Sequence, residues 1–160
     1  MGSARKRRIV VGVEGSDGSR VALRWAIDEA HYRSCDVEVV TAYLPTYVPA
    51  APDFGYVSLD PIDLVEEVRK MQDDLVAEAT ARCAKPTVTV EQKLIKGRAA
   101  DTLIAAADGA ALLVVGNRGR GGFRGLLLGS VSHQIAQHAG CPVVIVRADM
   151  VFDDPAQNDA

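Results

Sequence analysis

Residues 111–147 decide the fold, and they read ALLVVGNRGRGGFRGLLLGSVSHQIAQHAGCPVVIVR. The first apolar run, residues 112–115, is continuous, which is typical of a strand buried on both faces. Five of the next ten residues are glycine, and an amphipathic segment then begins near Ser130. A second apolar run, Val143–Val146, ends the stretch. This pattern predicts a strand, a glycine-rich loop, a helix and a second strand.

The glycine-rich loop favours an anion site. Glycines let a ligand approach backbone N–H groups that a Cβ would shield. A helix N-terminus adds unpaired N–H donors and a partial positive charge, and the hydroxyl of Ser130 is expected to cap that helix. Arg118, Arg120 and Arg124 raise the local positive potential. The alternative is a flexible linker, but a linker needs neither two flanking buried strands nor a capped helix.

Glycine spacing distinguishes among the phosphate-binding motifs. The chain contains no G-x-x-x-x-G-K-[ST] sequence, and its loop glycines do not follow the dinucleotide pattern G-x-G-x-x-G. The spacing present is Gly116, two residues, Gly119, nine residues, then Gly129 and Ser130. This resembles the ATP-binding G-2x-G-9x-G(S/T) loop of the universal stress protein family. The sequences GSVS and CPVVIV that follow also resemble that family, and the resemblance covers residues 8–147.

Composition sets limits on the class of protein. With 160 residues, 48% hydrophobic and 24% charged, the chain is expected to form one soluble globular domain. We expect a disordered basic N-terminus at residues 1–7, the domain at 8–147 and a disordered acidic tail at 148–160. A net charge of −3 argues against nucleic-acid binding. No apolar run is long enough for a membrane span or a signal peptide. The three cysteines are isolated in the sequence, which indicates a cytoplasmic protein without disulfides.

The rest of the chain alternates between predicted strands and helices. Strands are expected at residues 8–13, 36–43 and 87–94, and helices near residues 17–32, 60–83 and 99–107. The stretch from Leu44 to Leu59 holds three prolines and is predicted to be a structureless loop, serving as a ligand lid or partner contact. Such alternation indicates an α/β fold with a doubly wound parallel sheet of five strands and helices on both faces. The expected strand order, 3-2-1-4-5, is also the one that the resemblance implies.

A doubly wound sheet binds its ligand where the strand order reverses, between the first and fourth strands. Glu14 and Gly116, at the carboxyl ends of those strands, should therefore face each other across one crevice. Glu14 stands where the family usually has Asp; it keeps the carboxylate but adds a methylene, so affinity or metal use is expected to differ from the family's pattern. The resemblance implies nucleotide contacts from Gly12, Val13, Glu14, Ala42, Gly116, Asn117, Arg118, Gly119, Arg120, Gly121, Gly122, Gly129, Ser130, Val131 and Ser132.

Three functions follow from this interpretation. In the first, the protein binds ATP, with or without Mg²⁺, and acts as a regulatory module in the stress response. In the second, it slowly hydrolyses ATP or transfers its phosphate, although no catalytic base or metal site can be assigned from the sequence. In the third, it is an interaction scaffold without nucleotide. The last strand, from Cys141 to Arg147, would form an apolar sheet edge, which predicts a homodimer through that strand.

Overall fold

The computed structural model describes residues 7–45, 47–49, 56–58, 61–82, 88–120 and 127–150. Within them, strands and helices alternate along the chain. The strands are β1 (Arg8–Gly12), β2 (Asp36–Tyr43), β3 (Tyr47–Pro49), β4 (Tyr56–Ser58), β5 (Val90–Lys96), β6 (Leu112–Gly116) and β7 (Val143–Val146). The helices are α1 (Asp17–Arg33), α2 (Pro61–Ala81), α3 (Ala99–Ala106) and α4 (Ser130–His138).

Five of the strands form one parallel sheet in the order β5-β2-β1-β6-β7. This is the predicted doubly wound order, 3-2-1-4-5, and the prediction is confirmed. Strand β1 lies at the centre, where Val11 pairs with Val39 of β2 on one side and with Val114 of β6 on the other. Strand order therefore reverses between β1 and β6.

Alternate residues of the central strands bury opposite faces of the sheet. Ile9, Val11 and Val39 pack in the core on the side of α1 and α2. Val10 and Leu113 pack in the core on the side of α3 and α4. Because both faces are covered, residues 9–11 of β1 and residues 112–115 of β6 are apolar without a break.

The predicted loop from Leu44 to Leu59 is wrong in part, because it contains an antiparallel pair of strands. Tyr47 of β3 is opposite Ser58 of β4, and Pro49 is opposite Tyr56. Aromatic and β-branched residues favour strands, and the frequent prolines bias their neighbours toward extended backbone. Prolines indicate loops, but they are also compatible with a short two-stranded pairing.

Strand β5 begins later than the predicted residues 87–94. Val90 pairs with Val37 and Lys96 pairs with Tyr43, so β5 extends to the carboxyl end of β2. Pairing with a longer neighbour, rather than local sequence, sets this boundary. Among the described residues, no helix is long and apolar enough to cross a membrane.

Candidate functional site

The loops that follow β1 and β6 contact each other at the carboxyl end of the sheet. Gly116 lies against Gly18, so a Cβ on Gly116 would stand 2.7 Å from the carbonyl carbon of Gly18. The hydroxyl of Ser16 donates a hydrogen bond to the carbonyl oxygen of Arg118 at 3.4 Å. The predicted convergence of the two glycine-rich loops is thus observed. Gly18 was not among the predicted site residues, although a glycine in the first turn of a helix hints at close backbone approach.

The loop after β1 is held by two serines. Ser16 is the N-cap of α1, and its Oγ accepts a hydrogen bond from the backbone N–H of Ser19 at 3.2 Å. The Oγ of Ser19 accepts from the N–H of Gly15 at 3.1 Å and donates to the carbonyl of Ser16 at 2.9 Å. Gly15 has a φ of 89°, in the left-handed region that favours glycine. The loop therefore has a defined conformation.

Glu14 points into the space between the two loops. It is half-buried, and its Oε1 shares the proton of the Ser16 hydroxyl with the more distant carbonyl of Arg118. Burial raises the pKa of the Glu14 carboxyl above its ordinary value, while the hydrogen bonds from Ser16 and the charge of Arg120 partly offset that rise. The cleft thus holds a carboxylate whose charge is only partly compensated.

Replacing this carboxylate should change the pH dependence of stability. A raised pKa means that the folded protein binds the proton more tightly than the unfolded chain, so this contribution to stability is present at low pH and is lost as pH rises through the folded pKa. The melting temperature of Glu14→Gln, relative to the parent, should therefore increase between about pH 4 and about pH 7.5. Thermal unfolding of both proteins without nucleotide, at several pH values across this range, measures the difference in melting temperature.

The control for this comparison is Glu66→Gln, because Glu66 is exposed on α2. The difference in melting temperature between Glu66→Gln and the parent should change much less with pH. If the melting temperatures of Glu14→Gln and the parent differed by the same amount at both ends of the pH range, burial would not govern the ionisation of Glu14.

The loop after β6 is anchored at its start to both α4 and β7. The carbonyl of Asn117 accepts hydrogen bonds from the N–H of Gly129 at 2.8 Å and from the hydroxyl of Ser132 at 3.0 Å. The N–H of Asn117 donates to the carbonyl of Val146 at 2.8 Å. Ser132 is buried, and its single hydroxyl proton is shared between the carbonyl of Asn117 and that of Gly116, which lies 3.2 Å from the Oγ. The hydroxyl of Ser132 therefore holds the loop, and a nucleotide contact there would come from the backbone.

The predicted cap of α4 is wrong. Gly129, not Ser130, is the N-cap, and no side chain makes a capping hydrogen bond in the described part of the chain. Ser130 is the first helical residue and is exposed. Because the N-terminus of α4 has no side-chain cap, its first N–H groups and partial positive charge are open to an anionic ligand.

The backbone of Arg118, the residue Gly119 and the guanidinium of Arg120 lie beside Glu14 and the loop after β1. Arg118, Gly119 and Arg120 are all exposed, and the guanidinium of Arg120 occupies the place where a Cβ of Gly15 would lie. A Cβ on Gly119 would stand 3.6 Å from Glu14 Oε1, which is an ordinary contact. The φ of Gly119 is not positive, so glycine serves here to leave space rather than to permit a left-handed backbone.

The remaining predicted residues occupy three kinds of position. Gly12 and Val13 are buried, so only their backbone is near the cleft, and Gly12 packs against Leu103. Ala42 and Val131 are half-buried, with Ala42 near the carboxyl end of β2. Gly121 and Gly122 lie outside the described residues, as does Arg124. Among the residues described, no group of three or more His, Cys, Asp or Glu is placed to hold a metal ion.

Comparisons with known sequences identify relatives over nearly the whole chain. The sequence model of the Universal stress protein family matches residues 6–147. A universal stress protein from Mycobacterium tuberculosis is 31% identical over 144 residues, which cover 89% of this chain and 46% of that protein. The chain thus spans about half the length of the curated relatives it matches.

Comparison with solved structures also identifies universal stress proteins as similar over most of this chain. A universal stress protein in complex with cAMP is 27% identical, has a TM-score of 0.63 and is matched over 90% of this chain and 98% of its own. A universal stress protein from Lactobacillus plantarum has a TM-score of 0.71 at 19% identity, over 91% of this chain and 100% of its own. The second comparison supports the fold alone.

Proposed function

Because the chain belongs to the universal stress protein family, we propose that it binds ATP in the cleft between β1 and β6. In this proposal it acts as a nucleotide-dependent regulatory module of the stress response, with slow or no hydrolysis. The observation that carries the proposal is the contact between two glycine-rich loops at the point where the strand order reverses.

The residues of the cleft fit a phosphate chain. Gly119 leaves its backbone accessible, Arg118 and Arg120 supply positive charge, and the N-terminus of α4 has no side-chain cap within the described residues. In the same proposal, Gly129, Ser130 and the loop of residues 117–122 surround the phosphates and ribose. The solved relative in complex with cAMP supports an adenine nucleotide as the ligand class. Ala42, on the strand next to β1, would then border the base.

Adenine selectivity can be measured by thermal unfolding. A ligand at about 100 times its dissociation constant stabilises the folded state by about 2.7 kcal/mol. For a chain of this size that raises the melting temperature by roughly 5–11 °C. We expect this shift with ATP and a smaller one with GTP, each tested with and without Mg²⁺. The absence of any shift in millimolar ATP would favour the scaffold function, and equal shifts would contradict adenine selectivity.

We expect turnover to be slow or absent. Phosphoryl transfer needs a group that positions the nucleophile and groups that stabilise the transition state. Within the described residues of the cleft, Glu14 is the one carboxylate, and its Oε1 already accepts from the Ser16 hydroxyl. Release of phosphate should therefore stay below about 1 s⁻¹. A faster rate that disappears in a variant unable to bind ATP would establish the phosphotransfer alternative.

We further propose a homodimer through β7. This strand is at the edge of the five-stranded sheet, and Val143, Val144 and Ile145 are half-buried in the single chain. An apolar edge strand exposes unpaired backbone groups that a second copy can satisfy.

We also propose that the protein works in the cytoplasm without binding nucleic acid, in keeping with its net charge of −3.

A further inference from the structure

The carboxyl of Glu14 faces the open side of Gly119. A Cβ added to Gly119 would stand 3.6 Å from Glu14 Oε1 and 3.8 Å from Glu14 Cδ. The space that the glycine leaves free is therefore bordered by a carboxylate. A phosphate chain bound in the proposed cleft would approach the backbone of Gly119 beside this negative charge.

The cation whose charge acts on Glu14 is Arg120. Its guanidinium lies against Gly15, where the glycine leaves room for it. Burial of the Glu14 carboxyl raises its pKa, and the hydrogen bonds from Ser16 and the charge of Arg120 offset only part of that rise. A phosphate beside Gly119 would compete with Glu14 for the positive charge of Arg120. The carboxylate would then lose part of the compensation that it has in the empty cleft.

The neighbouring charged residues are placed differently. Asp17, in the first turn of α1, lines a separate groove between α1 and α2. The pKa of Asp149 is lowered mainly by the hydrogen bond from Arg147 and further by the charge of Arg118, so Arg118 lies near the chain beyond β7. The charge that compensates the carboxyl in the cleft is therefore that of Arg120.

We propose that Glu14 is a specificity-determining residue that opposes highly charged phosphate chains. This role rests on the proposed function, because it requires the nucleotide to bind in the cleft between β1 and β6. Two like charges about 5 Å apart in a partly buried site repel each other strongly enough to weaken binding at least about tenfold. A bound phosphate raises the pKa of Glu14, so binding is accompanied by proton uptake and tightens as the pH falls. The cleft would thus select among adenine nucleotides by the charge of their phosphates.

The dissociation constants of ATP and cAMP, measured by titration calorimetry without Mg²⁺, test this role. Glu14→Gln keeps the shape of the side chain and removes its charge, so at about pH 7.5 it should bind ATP at least about tenfold more tightly than the parent. The gain for cAMP, which carries a single negative charge, should be about threefold or less. For ATP the ratio of the two dissociation constants should approach one toward about pH 5. Protonation of ATP itself cancels in this ratio, because both proteins bind the same ligand.

Two further variants serve as controls. Glu66→Gln makes the same change in net charge at an exposed position of α2, and its affinity for ATP should equal that of the parent. Glu14→Asp keeps the charge but withdraws it by one methylene. Its affinity for ATP should lie between those of the parent and Glu14→Gln.

The outcomes separate the role of Glu14 from the proposed function. ATP binding by Glu14→Gln that is no tighter than that of the parent would overturn the role of Glu14 and leave ATP binding established. A failure of the parent and every variant to bind ATP would overturn both. Should Glu14→Gln not fold, Glu14→Asp decides, and an affinity equal to that of the parent would then count against charge selection.

Discussion

Substitution of Gly119 by valine is expected to abolish ATP binding and to leave the melting temperature of the ligand-free protein nearly unchanged. Gly119 is exposed, its φ is not positive, and a Cβ there would meet Glu14 Oε1 at 3.6 Å. The folded chain therefore accommodates a side chain at this position. A branched Cβ would nevertheless occupy the space in which a phosphate approaches the backbone.

The measurement is the ATP-induced shift in melting temperature, expected to fall from roughly 5–11 °C to none. Gly140→Val is the matched control, because Gly140 is exposed and a Cβ there would have nothing within 4 Å. ATP binding by Gly119→Val as tight as that of the parent would show that this loop does not hold the phosphates. If valine itself lowered the melting temperature, Gly119→Ala would repeat the test with a smaller side chain.

The second large effect is expected at the edge of the sheet, where Ile145→Pro should convert the proposed dimer into a monomer. The carbonyls of Pro142 and Val146 accept hydrogen bonds from Leu113 and Asn117 on the β6 side. Since backbone groups alternate in direction along a strand, those of Ile145 point away from β6. Proline at this position removes a donor needed only by an added strand.

Val144→Pro is the matched control, because the backbone of Val144 points toward β6. Its loss of an internal hydrogen bond should destabilise the fold by about 1–3 kcal/mol more than Ile145→Pro does. Light scattering at tens of micromolar reports the oligomeric state, and circular dichroism reports the fold. A dimer that persists in Ile145→Pro would place the interface elsewhere than β7.

The strand order could be predicted because the signals for it are local and strong. Residues 112–115 and Val143–Val146 are continuous apolar runs, and each is buried or half-buried as a strand of a covered sheet. Once strands and helices alternate, handedness and the absence of crossing connections leave few orders. The meeting of the two glycine-rich loops followed from that order, and the spacing of Gly116, Gly119 and Gly129 predicts, by resemblance, a nucleotide as the ligand.

Other features were not predictable because they depend on contacts between distant residues. Gly129 became the cap of α4 because its N–H donates to Asn117 at the start of the same loop. The hydroxyl of Ser132 turned inward for the same reason. The close approach of Gly18 to Gly116 requires the finished sheet. Sequence patterns identified these residues as small or polar, but their roles follow from tertiary packing.

The hydrogen bond between Ser16 and Arg118 joins residues that are 102 positions apart in the chain. Closing so long a loop costs conformational entropy, and contacts of high sequence separation slow folding. During synthesis β1, α1 and β2 leave the ribosome before β6 exists, so the two halves of the cleft meet only after β6 has been made. A nucleotide bound as proposed would therefore stabilise chains that include β6 but not shorter ones, and retention of the ligand would distinguish the two.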